Sequence, residues 1–563
     1  MKSTMMDVPL DVATILRHGQ RWHSHRKVVT MTGPGRWRES TFAQVASQAA
    51  QLAHGLEALG ITGDQRVGTF MWNNQEHLAA YLAVPAMGAV LQTANIRLFP
   101  DQLIYTITKA EDRILIVDES LVATLAPLWD RLPTVHTVIV NGAIDPAHFE
   151  GCGKKVITYE EVLAGQPTER VWAEVDERDA ATMCFTTGTT GNPKGVAYSH
   201  RSIAIHSLSQ GTCNAVNIGF DDRNLIVVPM FHANAWGYPY TCWWFGADII
   251  LLDRFLNAAN IVRAVQEQKV TFANGVPTVW NDVLNLLRAE PGHDLSTLRM
   301  VIIGGAAVSR PLIEGFEEIA GIPVVQGWGM TETSPLVTVA KAPEDTDPQT
   351  AASIRLSQGR VLAGVEIRTV DPDTLHVLPA DGASIGEFEL RGPWITGRYL
   401  GEEDAEKFHD GWLRTGDIGT LDARGHVRIT DRTKDVIKSG GEWISSVELE
   451  NIITAHPDVA MATVIGVPDP KWDERPCAIV VARDGSDITA ETLRTWLTGK
   501  VARWWVPEYW SFVPEIPLTS VGKLDKKVLR QRHADGGLPI IHLDAPLPRK
   551  QNEEPDTAEP SGG

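Results

Sequence analysis

The feature that most constrains the fold is the alternation of helix-like and strand-like segments between residues 40 and 305. Segment 40–60 repeats apolar residues at three- and four-residue spacing, which predicts an amphipathic helix that Ser40 or Thr41 caps and Gly60 ends. Short apolar runs separated by helical patterns follow at 66–72, 113–118, 137–141, 224–229, 248–252 and 299–305. This alternation predicts an α/β fold with mostly parallel sheets covered by helices.

The pattern changes twice further along the chain. Beyond residue 355, short strands and turns predict a small β-rich subdomain. After "DRTKD" at 431–435 the sequence predicts a loop, a helix that begins at Ser445 with Glu448 in capping-box spacing, and a strand. A chain of 563 residues also exceeds the roughly 250–300 residues that one hydrophobic core supports.

These changes predict three regions. A large N-terminal domain covers 1–431 and holds the helix-covered sheets and the β-rich subdomain. A smaller, mobile α+β domain at 434–535 is joined to it by a hinge. The polar, Pro- and Glu-rich segment 543–563 is predicted to be a disordered tail.

Charge and cysteine content exclude several classes of function. The net charge of −19 argues against a nucleic-acid partner, because such binding depends on Lys and Arg that neutralise phosphates. The five cysteines are scattered without metal-ligand spacing, which favours a reducing compartment over a disulfide framework or a zinc site. No signal peptide or integral membrane segment is indicated, so we predict a soluble cytoplasmic protein and leave peripheral membrane contact open.

The stretch "FTTGTTGNPKG" at 185–195 has the composition of a phosphate-binding loop. Its glycines expose backbone N–H groups, its threonines add hydroxyl donors and Lys194 adds a positive charge. It does not fit the nucleoside-triphosphatase pattern GxxxxGK[ST], because Pro193 precedes the lysine and Gly195 follows it. By composition alone, a surface connection remains the alternative.

Six further motifs follow that loop in order: "VVPMFHANAW", "VIIGGA", "QGWGMTETSP", "LRTGDIG", "DRTKDVIKSGGEWIS" and "TSVGKLDKKVLR". Together, over about 340 residues, the seven stretches strongly resemble those of the acyl-adenylate-forming enzymes, and among these the fatty acyl-CoA synthetases. Each motif is weak by itself, whereas seven in the same order form a specific signal. The residue roles in the next four paragraphs are what this resemblance implies.

The resemblance implies an ATP site in which the loop binds the β- and γ-phosphates. Trp328 stands where the family usually has Tyr and offers an aromatic face for adenine, while Asp417 accepts hydrogen bonds from the ribose and Arg432 reinforces them. The full nucleotide-binding set comprises Thr186, Thr187, Gly188, Thr189, Thr190, Lys194, Gly304, Gly305, Ala306, Gln326, Gly327, Trp328, Gly329, Thr331, Asp417, Arg432, Lys434 and Lys438.

The resemblance also implies a magnesium site. Glu332 is expected to bind Mg²⁺ together with the hydroxyl of Thr186 or Thr187, because this hard cation selects oxygen ligands. Outside its motif, Glu332 would be read as a solvated acidic residue.

The small domain is implied to take part in both half-reactions. Lys523 corresponds to the catalytic lysine that this domain brings to the α-phosphate in adenylation, while Lys526 and Lys527 are interpreted as solvated. Lys434 takes the hinge position, about which the small domain turns after acyl-AMP forms. Gly440 and Gly441, otherwise a turn, line the channel for the pantetheine arm, close to Lys438 and Trp443.

The acyl site is placed at "MFHANAW". His232 is assigned to orient the carboxylate, and Ala233 and Trp236 to bind the acyl chain, with Trp236 as a gate. The alternatives are a structural histidine and a core tryptophan. No Lys or Arg lies in "ANAWGYPY" or "NGVPTVW" to pair a second carboxylate, so the acyl tail is predicted to be apolar.

We therefore predict an ATP- and Mg²⁺-dependent fatty acid:CoA ligase that forms acyl-CoA, AMP and diphosphate through acyl-AMP, with medium- or long-chain acids favoured. A short-chain, thioether or aryl acid:CoA ligase is the first alternative. A luciferase-like monooxygenase and a non-catalytic nucleotide sensor of the same fold are further ones, and a carrier protein in place of CoA is a nearer variant. The resemblance also allows a homodimer, to which no residue of the sequence points.

Overall fold

The computed structural model describes residues 1, 3–186, 192–343, 345–439, 442–518 and 524–543. The chain divides into two compact units, of which the first comprises Met1–Thr433 and the second begins at Lys434. Each unit has its own sheets and core and is described separately.

In the described part of the first unit, one sheet has seven strands. Six of them are parallel, and the seventh turns back antiparallel beside the sixth. In spatial order they are Lys155–Thr158, Thr137–Asn141, Asp112–Asp118, Arg66–Phe70, Val90–Thr93, Ala180–Phe185 and Gly195–Ser199.

A second sheet of the first unit joins a parallel half to an antiparallel half, with 14 strands among the described residues. The parallel half contains Lys27–Gly33, Asp248–Leu251, Arg223–Leu225, Phe272–Gly275, Met300–Gly304 and Val324–Gly329, and Arg36–Thr41 pairs antiparallel with its first strand. The antiparallel half continues through Leu336–Val339, Gly359–Val361, His426–Arg432, Trp412–Leu421, Ile385–Arg391 and Glu366–Val370, with Phe408–His409 beside Trp412–Leu421.

The strand Val324–Gly329 joins the two halves. It pairs parallel with Met300–Gly304 on one side and antiparallel with Leu336–Val339 on the other. The predicted β-rich subdomain is therefore continuous, by backbone hydrogen bonds, with the parallel sheet.

Helices cover these sheets. The first unit has Val12–Trp22, Phe42–Ala58, Gln75–Ala86, Pro100–Ala110, Val122–Leu125, Tyr159–Leu163, His200–Gly211, Tyr238–Phe245, Ala258–Gln268, Pro277–Ala289, Arg310–Ala320 and Pro348–Arg355. The predicted helix at 40–60 is confirmed as Phe42–Ala58, with Thr41 rather than Ser40 as its cap. The side chain of Thr41 accepts the Gln44 N–H while Gln44 bonds back to the Thr41 N–H, which forms a capping box.

One predicted strand is shorter than expected. The run 224–229 contributes only Arg223–Leu225. From Val228 onward the backbone bonds to side chains instead: the Val228 N–H donates to Asn274 Oδ1 at 3.1 Å and its carbonyl accepts from Asn73 Nδ2 at 2.9 Å. Side-chain amides thus replace the backbone-to-backbone hydrogen bonds of the sheet at this end of the strand.

The described part of the second unit contains a six-stranded sheet and three helices. Its strands are Ile437–Ser439, Glu442–Ile444, Val459–Asp469, Asp473–Ala482, Tyr509–Phe512 and Ile541–His542, and its helices are Ser446–Thr454, Ala490–Leu497 and Lys526–Ala534. Ser445 caps the first helix as predicted, because its side chain accepts the Glu448 N–H. Among the described residues of both units, no helix is long and apolar enough to cross a membrane.

Candidate active site

Several predicted nucleotide-binding residues of the first unit follow the carboxyl ends of parallel strands. Thr186 comes directly after Ala180–Phe185 in the seven-stranded sheet. Gly305 and Ala306 follow Met300–Gly304, and Thr331 and Glu332 follow Val324–Gly329 in the second sheet. Carboxyl ends of parallel strands are where open α/β sheets bind ligands, since the loops that leave them form a crevice.

Trp328, Asp417 and Arg432 form a connected group on three strands of the second sheet. Trp328 Nε1 donates to Asp417 Oδ2 at 2.8 Å, and Arg432 Nε lies 3.4 Å from Asp417 Oδ1. The tryptophan and the aspartate are buried, while about half of the arginine side chain is exposed. The carboxylate is thus oriented from both sides, with an indole ring beside it.

Close backbone packing explains two of the predicted glycines, and a positive φ explains a third. A Cβ at Gly304 would lie 2.5 Å from the Gly327 carbonyl oxygen, and one at Gly329 would lie 1.8 Å from the Pro335 carbonyl oxygen. Real Cβ atoms do not approach backbone so closely, so these positions accept no side chain. Gly305 differs, because its φ of +81° requires the left-handed region that glycine adopts freely.

Glu332 and Lys194 are connected by a tyrosine that the sequence analysis did not single out. Tyr399 donates its hydroxyl to Glu332 Oε1 at 2.7 Å, and Lys194 Nζ lies over the Tyr399 ring at 4.6 Å from its centroid. Lys194 Nζ also forms an ion pair with Asp404. A buried carboxylate, an aromatic ring and a lysine therefore form one group beside the predicted phosphate loop.

Two pKa shifts follow from this group. The hydrogen bond from Lys194 lowers the pKa of Asp404, so this carboxyl group remains ionised. Burial, with a further effect of Glu332, raises the pKa of Tyr399 far above its ordinary value, so its hydroxyl stays a donor.

The described ends of the predicted phosphate loop bond to each other. The Thr186 N–H donates to the Lys194 carbonyl at 2.9 Å, and the Lys194 N–H donates to Thr186 Oγ1 at 3.1 Å. The predicted loop residues Thr187, Gly188, Thr189 and Thr190 lie outside the described residues.

Gln326 and Thr331 already have partners within the fold. Gln326 Nε2 donates to the Arg355 carbonyl at 2.8 Å, and the Thr331 carbonyl accepts from the Tyr198 hydroxyl at 2.6 Å.

The predicted acyl site has an unusual backbone. Ala233, Asn234, Ala235 and Trp236 have φ values of 43°, 52°, 48° and 56°, and Gly237 continues with 79°. These five residues form what we call the left-handed turn, Ala233–Gly237. This conformation costs roughly 1–2 kcal/mol for each L-residue, so the surrounding structure must stabilise it at the four positions that are not glycine.

Trp236 and His232 lie in and beside this turn. A Cβ added at Gly304 or Gly305 would lie 3.3 Å or 3.7 Å from the Trp236 indole, so the indole covers the end of the strand Met300–Gly304. His232 is half-buried and immediately precedes the turn. The predicted acyl residues are thus next to the predicted nucleotide residues.

His206 lies between the left-handed turn and the segment after Glu332. Its Nε2 accepts the Leu336 N–H at 3.2 Å, and a Cβ at Gly237 would lie 2.8 Å from its Nδ1. Burial lowers the pKa of His206 to about 3, which keeps the imidazole neutral. A neutral ring can accept this backbone hydrogen bond.

The remaining predicted site residues belong to the second unit. The N–H of Lys438 donates to Glu474 Oε2 at 3.0 Å, and Lys438 and Trp443 are paired across neighbouring strands. Lys434 is the first residue of this unit, and its carbonyl accepts from Arg530 at 3.2 Å. Gly440, Gly441 and Lys523 lie outside the described residues.

One interpretation of a lysine was wrong. Lys526, expected to be solvated, is 11% exposed in its side chain and forms an ion pair with Glu450 Oε1 at 2.7 Å. It also donates to Ser446 Oγ at 2.6 Å. Glu450 comes from the helix Ser446–Thr454, a long-range partner that local sequence could not reveal.

The sequence analysis missed Tyr399, Asp404, His206 and Gln210. None of the four belongs to one of the seven motifs, and Asp404 lies among other acidic residues, so no local pattern distinguishes them. Only the tertiary contacts connect them to the site.

Two family models match the chain. The model described as "AMP-binding enzyme" matches residues 16–400, and the model described as "AMP-binding enzyme C-terminal domain" matches residues 448–523. The first match alone covers more than half of the chain.

Curated relatives are similar over nearly their whole length. The chain is 41% identical to a 3-methylmercaptopropionyl-CoA ligase of Ruegeria pomeroyi, covering 95% of this chain and 99% of the relative. It is 38% identical to a medium-chain-fatty-acid–CoA ligase of Ectopseudomonas oleovorans (95% and 98% covered). It is 41% identical to a long-chain-fatty-acid–CoA ligase of Thermus thermophilus (94% and 97% covered).

A solved structure shares the fold. The anthranilate CoA ligase AuaEII in complex with anthranoyl-AMP superposes with a TM-score of 0.83 at 26% identity, over 95% of this chain and 99% of that one.

Proposed function

Because the chain belongs to the AMP-binding enzyme family, we propose that it is an ATP-dependent acid:CoA ligase. It joins a carboxylic acid to CoA in two steps at one site. The predicted fatty acid:CoA ligase is consistent with relatives named as medium- and long-chain fatty acid ligases at 38% and 41% identity.

The observation that carries the proposal is the meeting of a nucleotide side and an acyl side at the carboxyl ends of two neighbouring parallel strands. Trp328 and Asp417 provide an aromatic face and a ribose acceptor in a bonded pair at 2.8 Å. The Trp236 indole lies over Gly304 and Gly305, next to the strand that carries Trp328. A carboxylate bound near Trp236 would therefore be close to a nucleotide bound at Trp328.

In the first step, a carboxylate oxygen of the acid attacks the α-phosphorus of ATP. The bond from that phosphorus to the bridging oxygen breaks, and diphosphate leaves with the electron pair. Thr186 and Lys194 would hold the β- and γ-phosphates, and Asp417 with Arg432 would hold the ribose. Lys523 would contribute positive charge at the α-phosphate, where preorganised charge has its largest effect.

Magnesium fits the oxygen donors of the site. The Glu332 carboxylate and the Thr186 hydroxyl are hard oxygen ligands; Glu332 Oε1 accepts the Tyr399 hydroxyl at 2.7 Å, and Thr186 Oγ1 accepts the Lys194 N–H at 3.1 Å. When bound, Mg²⁺ neutralises phosphate charge. Glu332 would then exchange its bond from Tyr399 for the ion or share it.

In the second step, the CoA thiolate attacks the acyl carbonyl carbon of acyl-AMP, and AMP leaves. We assign Lys434 as the hinge for this step, supported by the division of the chain between Thr433 and Lys434. Gly440 and Gly441 would line the pantetheine channel, with Lys438 and Trp443 near the adenylate. In the domain division we propose, 1–431 binds ATP and acid and 434–535 moves.

The acid is proposed to be apolar beyond its carboxylate. The left-handed turn is fully buried and consists of Ala, Asn, Trp and Gly residues, without a charge to pair a second carboxylate. The relatives' names divide between medium- and long-chain fatty acids and a thioether acid. A cytoplasmic location and a homodimer are further proposals that rest on the scattered cysteines and on the family resemblance.

The test is an acid panel. AMP release and acyl-CoA formation are measured with MgATP and CoA over straight-chain acids of two to eighteen carbons, 3-(methylthio)propionate and benzoate. We expect AMP release to depend on the acid and to equal acyl-CoA formation in amount. A panel with no acid-dependent AMP would end the ligase proposal and leave a nucleotide sensor, and oxygen uptake or light emission from acyl-AMP would favour the luciferase-like alternative.

A further inference from the structure

The left-handed turn needs partners outside itself, and two buried amide side chains form the bonds to them: Asn234 within the turn and Gln210 outside it. Four successive residues that are not glycine hold positive φ values between 43° and 56°. Residues in this region persist only where the surrounding structure determines them. The hydrogen bonds of the turn identify the groups that stabilise this conformation.

Asn234 attaches the turn to the strand Ala180–Phe185. Its Nδ2 donates to Thr182 Oγ1 at 2.7 Å, and its Oδ1 accepts from the Cys184 thiol at 3.2 Å. The side chain is 3% exposed, so water does not replace these bonds. That strand leads directly into Thr186, the first residue of the predicted phosphate loop.

Gln210 holds the turn from the helix His200–Gly211. Its Nε2 donates to the Trp236 carbonyl at 3.0 Å, and its Oε1 accepts from the Thr241 hydroxyl at 2.7 Å. Thr241 also bonds to the Gly237 carbonyl at 3.1 Å, so it keeps a partner if Gln210 is changed. The Trp236 carbonyl is thus fixed by a group that is itself 1% exposed.

We propose that Gln210 and Asn234 are positioning residues that set the place of the Trp236 indole and, through it, the length of acid the enzyme prefers. The proposal rests on the proposed acid:CoA ligase function. Neither amide needs to touch the acid, because each acts through the backbone of the turn. Loosening the turn lets the indole move away from Gly304 and Gly305 and changes the space beside the acyl chain.

The first test is Gln210→Met, which keeps length and burial and removes the donor to the Trp236 carbonyl. We expect the KM for the preferred acid to rise about tenfold, the size of effect that one lost hydrogen bond produces. The KM for ATP should stay within about twofold, and longer acids should gain relative to the preferred one. Thr182→Val, which removes the acceptor of Asn234 Nδ2, should shift the profile in the same direction.

The matched control is Gln51→Met. Gln51 also donates to backbone carbonyls, those of Leu163 and Gln166, but from the helix Phe42–Ala58. We expect its chain-length profile to match that of the wild type. Thermal melts of all variants separate a loss of folded enzyme from a shift in preference.

A rescue experiment tests the mechanism directly. Ala235 has φ of 48°, a conformation that glycine adopts without strain. Ala235→Gly added to Gln210→Met should restore the acid KM to within about threefold of the wild type, because the turn then needs less support. Ala204→Gly, in the right-handed helix His200–Gly211, should restore nothing.

The outcomes separate the two proposals. If the wild type is active and its chain-length preference is unchanged in both Gln210→Met and Thr182→Val, the positioning role is wrong and the ligase function stands. The same holds if the KM for ATP and for every acid rises together, or if Ala204→Gly rescues as well as Ala235→Gly. A wild type without acid-dependent AMP release overturns the ligase function, and the positioning role with it.

Discussion

The nucleotide side and the acyl side of the candidate site are built by different physical means. On the nucleotide side, charged groups dominate: Asp417 lies between Trp328 and Arg432, and Lys194 pairs with Asp404. On the acyl side, neutral amides bond to the left-handed turn, and the neutral His206 lies beside Gly237. We infer from this difference that charged side chains bind the phosphates, whereas backbone conformation selects the apolar acyl chain.

The largest expected effect comes from removing charge on the nucleotide side. Glu332→Gln keeps an acceptor for the Tyr399 hydroxyl but removes the carboxylate charge, so kcat should fall about 10²–10³-fold for every acid, as when one preorganised electrostatic contact is lost. Steady-state kinetics over the acid panel measures this. If kcat fell by different factors for different acids, the nucleotide side would not act independently of the acyl side.

The control for that variant is Glu389→Gln. Glu389 is another buried carboxylate of the same sheet, paired with Arg368 at 2.6 Å outside the candidate site. It should lower the melting temperature without a comparable loss of kcat per folded enzyme.

An intermediate effect is expected from the neutral histidine on the acyl side. In the unfolded chain, His206 is protonated below about pH 6.5, whereas in the folded chain it stays neutral down to about pH 3. This residue therefore lowers the free energy of unfolding as the pH decreases through that window. The contribution is about 1.4 kcal/mol per pH unit. His206→Gln removes it while offering an acceptor to the Leu336 N–H.

Urea unfolding of both proteins at pH 7, 6 and 5 checks this expectation. Groups that titrate equally in both, such as Asp118, whose pKa burial raises to about 7, cancel in the difference. Parallel pH dependences would show that His206 is protonated in the folded enzyme, and the acyl side would then contain a charge.

The smallest expected effect concerns the indole of the nucleotide side. Trp328→Phe keeps an aromatic face and removes the donor to Asp417, so the KM for ATP should rise about threefold, in the range of one hydrogen bond. The acid KM and the chain-length profile should not change. Trp129→Phe, which loses an indole bond to the His148 carbonyl elsewhere in the first unit, is the control. A changed acid profile in Trp328→Phe would show that the two sides are coupled.

Local sequence reveals the nucleotide side better than the acyl side. Periodicity predicted the helix Phe42–Ala58, since burial on one face leaves a repeating pattern, and short apolar runs predicted the parallel strands. Ordered motifs predicted the nucleotide set, because glycines and charged residues are unusual enough to be noticed. The geometry of Gly304 and Gly329 gives two of those glycines a reason, which is backbone contact.

The left-handed turn left no such signal. The letters "ANAW" are ordinary, and nothing local indicates that all four residues have positive φ. Its hydrogen-bond partners Gln210 and Thr182 lie 26 and 52 residues away in the chain from the turn residues they contact. The partners of Lys526 and the position of Tyr399 were missed for the same reason.

The strand Val324–Gly329 has a consequence for how such an enzyme changes over time. Hydrogen-bonded on both edges, it contains Gly329 and pairs with the strand that ends at Gly304, and an added Cβ at these two positions would lie 1.8 Å and 2.5 Å from backbone carbonyl oxygens. Neither glycine can therefore be replaced without moving the backbone of the sheet. Random mutagenesis for new acid preferences should recover no survivor changed at Gly304 or Gly329, so these two positions are inherited intact while other positions around the site diversify.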